Sequence, residues 1–280
     1  MINIDAMEQW SDQAIVLSVR SHGENGGVVS LLTEEHGRYA GYVRGIHSAK
    51  MRGLLERGNL VGVEWSARTS DELGSFKLEQ DRHITAGLMG ERLKLSALLS
   101  ACSLCDRALP ERETHAGLFH GFQALLDNMD MEGWGAAYVM WELALLRELG
   151  FAIDLSRCAA GGDADMLAYV SPKSGRAVSE AAAAPYREKL LPLPSFLRPE
   201  KGEINDEEIL TGLQLTGYFL MNWVFAQHTQ GIPEDRLRFE ERFAKTVDQN
   251  ALAPNDEDKE APKASRDEYE LEDDLVEIDG

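Results

Sequence analysis

The hydrophobic pattern of this 280-residue chain changes its period once, near His83, and that change limits what the chain can fold into. Before it, the apolar or alternating runs are short: residues 14–19, 28–33, 39–43, 60–65 and 75–80. Turn formers separate them, in Gly23-Glu-Asn-Gly-Gly27, Glu34-Glu-His-Gly37, Gly53 and Asp71-Glu-Leu-Gly74. Five short strands at this spacing predict a small closed barrel, and five is the strand number of the OB-fold. The long connection from Gly45 to Arg57 reads as a barrel loop or a short helix.

After His83 the period is helical. Apolar residues recur through 88–109, which stops at Pro110, and through 114–129 and 134–149, the last stopped by Gly150. Asn205 reads as an N-cap, followed by Asp206, Glu207 and Glu208 at the positive end of the helix dipole. That helix is expected to run to about Gln230, and Pro233 opens a last one. Between Gly150 and Asn205, residues 154–179 form an insert with two short strands around a turn at 172–175, and 191–199, with three prolines, reads as a linker. The class is therefore α+β: a barrel over 1–83, a helical domain over 84–249, and from residue 250 an acidic tail that composition marks as disordered.

Charge enters because of that tail. The formal net charge is -20, and residues 254–280 hold twelve acids against three bases, so 3 − 12 = -9 belongs to the tail and -11 to the rest. An acidic body weighs against non-specific duplex binding. It leaves room for a confined basic groove, and residues 37–53 supply one: Arg38, Arg44, Lys50 and Arg52, no acid, and Tyr39 and Tyr42 interleaved. Cations with aromatic faces between them suit a single-stranded nucleic acid, whose bases are free to stack. Composition alone leaves the solvated face of an exposed hairpin equally open.

Other constellations carry less. The longest aliphatic-aromatic run, residues 218–226, is too short to span a bilayer, and the first residues lack the order of a secretory signal, so a cytoplasmic protein is expected. Cys102 and Cys105 have the spacing of half a zinc site but sit within a helical apolar stripe, where core packing is the expected role. His115 and His120, five apart, point to different faces of a helix. No nucleophile elbow, phosphate loop, metalloprotease motif or dinucleotide fingerprint occurs, which favours a binding protein over an enzyme.

Ser30-Leu-Leu-Thr-Glu-Glu-His-Gly37 leads into Val43-Arg-Gly45, and Trp141-Glu-Leu-Ala-Leu-Leu-Arg-Glu-Leu-Gly-Phe151 stands before Cys158. Tyr169-Val-Ser-Pro-Lys-Ser-Gly-Arg-Ala-Val-Ser179 and Asp235-Arg-Leu-Arg-Phe-Glu-Glu-Arg-Phe243 follow. These four blocks in order resemble the bacterial recombination mediator family RecO, in its alphaproteobacterial form. The resemblance implies an N-terminal OB-fold and a helical domain with an inserted zinc-finger-like hairpin. It also implies binding of single- and double-stranded DNA and annealing of complementary strands. The partners it implies are RecR, the single-stranded-DNA-binding protein and, indirectly, RecA. By position, Arg38, Arg44, Lys50 and Arg52 fall in the family's basic barrel region, joined by Arg57.

Here the sequence departs from zinc-bearing members. Only Cys158 matches, with Gly161 where its partner would be and Ser171, Ser174 and Ser179 in the second half. No zinc and no other cofactor is expected, and the hairpin is expected to be held by Leu167, Tyr169 and Val178. Five cations at phosphates imply a loss of affinity on the order of a thousandfold between 50 and 200 mM salt. Tyr39, Tyr42 or Trp65 are the candidate stacking faces, with alternation in the strands deciding which are core. The competing reading is a protein adaptor whose helices dock partners and whose barrel binds no nucleic acid. For the tail, a solubilising appendage and a competitor folding back over the basic strip both stand.

Overall fold

The computed structural model describes residues 7–161, 166–200 and 202–252. It opens with β1 (Glu8–Ser21), β2 (Gly26–Thr33) and β3 (Gly37–Arg44), followed by a short helix α1 (Ala49–Leu54), β4 (Leu60–Ala67) and β5 (Ser75–Arg82). The strands close into a barrel in the order β1-β2-β3-β5-β4. Neighbours pair antiparallel except at the closing seam, where β3 and β5 meet in parallel at Tyr42 and Ser75. β1 starts at Glu8 rather than residue 14, because its first half pairs with β4 and sets Trp10 opposite Trp65.

Side chains that alternate along β1 and β2 serve two cores. Ala14, Val16, Val29 and Leu31 fill the barrel with Trp65 and Phe76. Ile15, Leu17 and Leu32 point the other way, into the core of the helical half. Helix α2 (Arg92–Ala108) lies across these two strands. Burial on both faces is why residues 14–19 and 28–33 read as apolar runs with little alternation.

The helical half continues with α3 (Ala116–Asp127) and α4 (Trp134–Glu148). After the insert come α5 (Glu180–Ala183), α6 (Asp206–Phe219) and α7 (Glu234–Leu252). Asn205 caps α6 as expected, its side chain accepting the Glu208 N–H at 2.9 Å. Inside, Arg236 and Glu142 are fully buried against one another, and Arg236 also donates to the Leu213 carbonyl (2.8 Å) and Glu240 (2.8 Å). Burial opposes the guanidinium charge, but Glu142 more than offsets it and keeps Arg236 protonated. Cys102 and Cys105 are core residues, and burial pushes the Cys102 thiol up to about 12.

The insert forms β6 (Leu167–Val170) and β7 (Ala177–Ser179), with Leu167 and Val178 buried and Tyr169 partly so. Two expectations need correction. Residues 191–199 are no linker: β8 (Leu191–Pro192) adds a third strand beside β6, and Leu193 behind it is fully buried. An edge position tolerates the proline there. The helix from Asn205 does not reach Gln230. Regular winding stops at Phe219 and widens into a π turn over Leu220–Val224. That turn lays the Trp223 ring on the hairpin at Gly175 and edge-on to Phe219 at 4.5 Å.

In the insert, Cys158 Sγ accepts the Ser179 N–H at 3.2 Å and lies 3.4 Å from Ser179 Oγ. Among the described residues no three His, Cys, Asp or Glu side chains gather to hold a metal ion, so the described groups do not make a zinc donor set. The acidic tail lies outside the described residues from residue 253 on, and α7 itself extends to Leu252. No helix among the described residues is long and apolar enough to cross a membrane.

Candidate nucleic-acid interface

Strand β3 sorts its side chains by parity. Tyr39 and Val43 point into the barrel, while Arg38, Tyr42 and Arg44 point out. Tyr39 is 5% exposed, within 5.0 Å of Trp10 and 5.4 Å of Trp65 between ring centroids, with the Arg112 guanidinium 4.8 Å from its ring. Burial raises its phenol pKa. Tyr39 is core and offers no face to a base, and Trp65 is core likewise, its indole N–H donating to the Leu73 carbonyl at 3.1 Å.

Two of the five cations are also spoken for. Arg38 Nε donates to the Leu109 carbonyl at 2.7 Å, and its guanidinium lies 3.2 Å from Glu111 and 3.9 Å from Asp106. The segment after α2 lies along this end of β3. Arg112 N–H donates to the Arg38 carbonyl at 2.8 Å, and any Cβ at Gly37 would strike the Glu113 carbonyl. Arg57 is held more fully. It donates to the carbonyls of Leu17 (3.0 Å) and Leu99 (2.8 Å), to Asp235 (3.0 Å) and to Ser103 (2.5 Å). One side chain thus ties the barrel to α2 and α7. Both arginines are taken out of the phosphate-binding set because their donors are used in holding the two halves together.

The remaining cations face solvent. Gly45 ends β3 in the left-handed conformation (φ +69°), which lets the chain leave the sheet sharply. Three residues on, Ser48 caps α1 by accepting the Met51 N–H at 3.3 Å. Leu54 anchors α1 in the barrel core, with Met51 packed against it, and leaves Lys50 and Arg52 exposed. Among the described residues, Arg44, Lys50 and Arg52 have no carboxylate within ion-pair distance. A shallow recess of about 360 Å³ opens beside them, lined by Val19, Ile46, His47, Arg52 and Glu56 among others.

Strand register adds a cation that the linear sequence hid. Arg20 on β1, Val28 on β2 and Tyr42 on β3 form one cross-strand row, and Arg44 follows Tyr42 on the same face. Arg20 is 75% exposed and leans on Asp106 at 3.3 Å. Only the hairpin register, set by the turn at residues 22–25, brings it there. A second partly exposed aromatic, Trp10, stacks on His36 with centroids 4.0 Å apart, but it lies at the other end of β1 from Arg20. The exposed basic surface at this end of the barrel is therefore Arg44, Lys50 and Arg52, with Arg20 and Tyr42 beside them.

Comparison with known proteins agrees along the length of the chain. The family model described as "Recombination protein O N terminal" matches residues 7–80, and "Recombination protein O C terminal" matches residues 89–229. The chain is 48% identical over 250 residues to the DNA repair protein RecO of Rhodospirillum centenum, covering 88% of this chain and 99% of that one. It is 45% identical over 244 residues to that of Rhodospirillum rubrum (85% and 97% covered) and 44% identical over 237 residues to that of Caulobacter vibrioides (84% and 98%).

Proposed function

The chain belongs to the recombination protein O family, a family of DNA repair proteins, and from that premise we propose that it is a mediator that binds single- and double-stranded DNA and anneals complementary strands. It works without a catalytic group. Its partners in this reading are RecR and the single-stranded-DNA-binding protein, and its product is gapped DNA made ready for RecA.

The observation that carries the reading is a basic patch free of internal partners. Arg44, Lys50 and Arg52 stand exposed and unpaired among the described residues of a chain whose net charge is -20. Cations at phosphates release condensed counterions, which supplies affinity without reading sequence. The Tyr42 ring beside them offers a stacking face worth roughly 1–3 kcal/mol per base. Two strands held at such a patch have their mutual repulsion screened while they find register, and each raises the effective concentration of the other.

The adaptor reading draws support from Arg38 and Arg57, whose donors are spent inside the fold, and from α2, which covers the outer face of β1 and β2. Fluorescence anisotropy with labelled oligo-dT separates the two. With three phosphate contacts rather than five, single-strand affinity should fall about twentyfold between 50 and 200 mM salt. Arg44→Ala, Lys50→Ala and Arg52→Ala together should weaken binding at least about tenfold at low salt and flatten that slope. Wild-type affinity and slope in the triple variant would leave the adaptor.

A further inference from the structure

Helix α4 presents an apolar face away from the core. Met140 on it is 59% exposed, and Leu143 and Arg147 lie beside it. With Ile153, Leu155 and Leu197 they line a groove of about 380 Å³. Arg147 is the groove's charged lining residue, and among the described residues it has no carboxylate within ion-pair distance. Nearby Asp154 is engaged by the Ser156 N–H (3.0 Å) and Oγ–H (2.5 Å) and faces Arg176 and Arg157, which helps hold its carboxyl below its ordinary pKa. The groove is thus apolar with a positive rim.

The described chain ends close to it. Asn250 near the end of α7 donates to Asp206 at 3.1 Å, the first residue of α6. Within that turn Glu208 accepts the Ser195 N–H, and Leu197, two residues further, lines the groove. The sequence continues for 280 − 252 = 28 residues beyond Leu252. Its last part places Leu271, Leu275 and Ile278 at i, i+4 and i+7, the spacing of anchors in helix-in-groove recognition, with eight carboxylates between Asp267 and Asp279. The recess beside α1 joins Val19, Ile46 and Leu55 to its cations but carries Glu56 in its lining, which repels an acidic segment, whereas no carboxylate lines the α4 groove. The α4 groove offers apolar partners and a guanidinium together.

We propose that residues 267–279 dock in cis on the α4 groove, with Leu271, Leu275 and Ile278 seated among Met140, Leu143, Leu155 and Leu197 and the flanking carboxylates against Arg147. The length of chain after Leu252 spans the gap easily at about 3.3–3.6 Å per extended residue. Any partner presenting an acidic peptide with aliphatic anchors must displace this segment first, so the tail sets a threshold for such a partner.

The test uses the full chain with Met140→Cys carrying an environment-sensitive fluorophore; the three native thiols are buried and out of the reagent's reach. With the native tail the probe should emit blue-shifted relative to a chain that also carries Leu271→Asp, Leu275→Asp and Ile278→Asp. A peptide of residues 267–279 added in trans should restore the blue shift in that variant and change little in the native chain. Arg147→Glu should reduce the shift in the native chain. Identical emission from both tails, with no response to the peptide, would overturn the proposal. A shift that grows with protein concentration would assign the groove to the tail of a second copy and overturn docking in cis.

Discussion

The two ends of β3 carry the same kinds of residue and do opposite things. At its start, Arg38 and Tyr39 are enclosed, one under the segment after α2 and the other in the barrel core. At its end, Tyr42 is half-buried and Arg44 exposed, beside the open cations of α1. Tyr42 lies four positions after Arg38, and no difference in residue type distinguishes the ends. What distinguishes them is that Asp106 at the end of α2 and Glu111 and Glu113 just after it cover the first end, while among the described residues no carboxylate pairs with Arg44 at the second. Basic residues near a barrel therefore divide into those that assemble the fold and those left over for a ligand, and the division is made by segments distant in sequence.

The largest effect should come from the tyrosines. Tyr39→Ala empties a buried aromatic site between Trp10, Trp65 and Phe76, and should cost about 3–5 kcal/mol of stability in urea unfolding. Tyr42→Ala, three residues along, should cost about 1 kcal/mol or less and act mainly on single-strand affinity. Equal losses of stability from both would erase the contrast between the two ends.

Next comes Arg57→Ala, which removes four hydrogen bonds and leaves Asp235 and Ser103 facing an absent charge. Hydrogen bonds to charged groups support a loss of about 2–3 kcal/mol, with salt dependence of DNA binding unchanged. The pH arm has a definite sign. Burial pushes the Asp235 carboxyl up, but hydrogen bonds from Ser103 and Arg57 outweigh it and hold the group below its usual range. Such a carboxylate contributes stability above its unfolded pKa of about 3.9 and loses the contribution as pH falls through the lower folded value. Wild type should lose this increment in acid below about pH 4, and Arg57→Ala should lack that part of the acid sensitivity.

Much of this was legible in the chain itself. Short apolar or alternating runs and their turn formers placed the five barrel strands, and Asn205 with its acidic followers placed the start of α6. The parity of β3 was also available, since Tyr39 and Tyr42 differ by an odd number of positions and must face opposite ways. Which face was the core required β2 and β5 as neighbours. Arg38 and Arg57 could not be read as structural, because their acceptors lie 73 and 178 residues away at Glu111 and Asp235. Residues 191–199 misled because prolines dominate their composition, whereas Leu191, Leu193 and Phe196 decide their packing. The early end of α6 follows from Trp223 meeting Gly175, a contact across the insert that no local pattern encodes.

Arg20 sits where the two ends of the comparison meet, and so it fixes the boundary. It shares a row with Tyr42, which assigns it to the open patch, yet it touches Asp106, the same acid that approaches Arg38. Its side chain is 75% exposed, and an ion pair of that kind contributes about 0–1 kcal/mol because water and salt screen it. A guanidinium so placed gives up little by turning from a carboxylate to a phosphate. Arg20→Ala should therefore leave stability within about 0.5 kcal/mol and lower the slope of log affinity against log salt for single strands by about 0.7, the share of one phosphate contact. A destabilised protein with an unchanged slope would move Arg20 to the closed end. The patch would then be no wider than Arg44 and α1, too narrow to hold two strands side by side, and annealing would have to rely on a second protein surface.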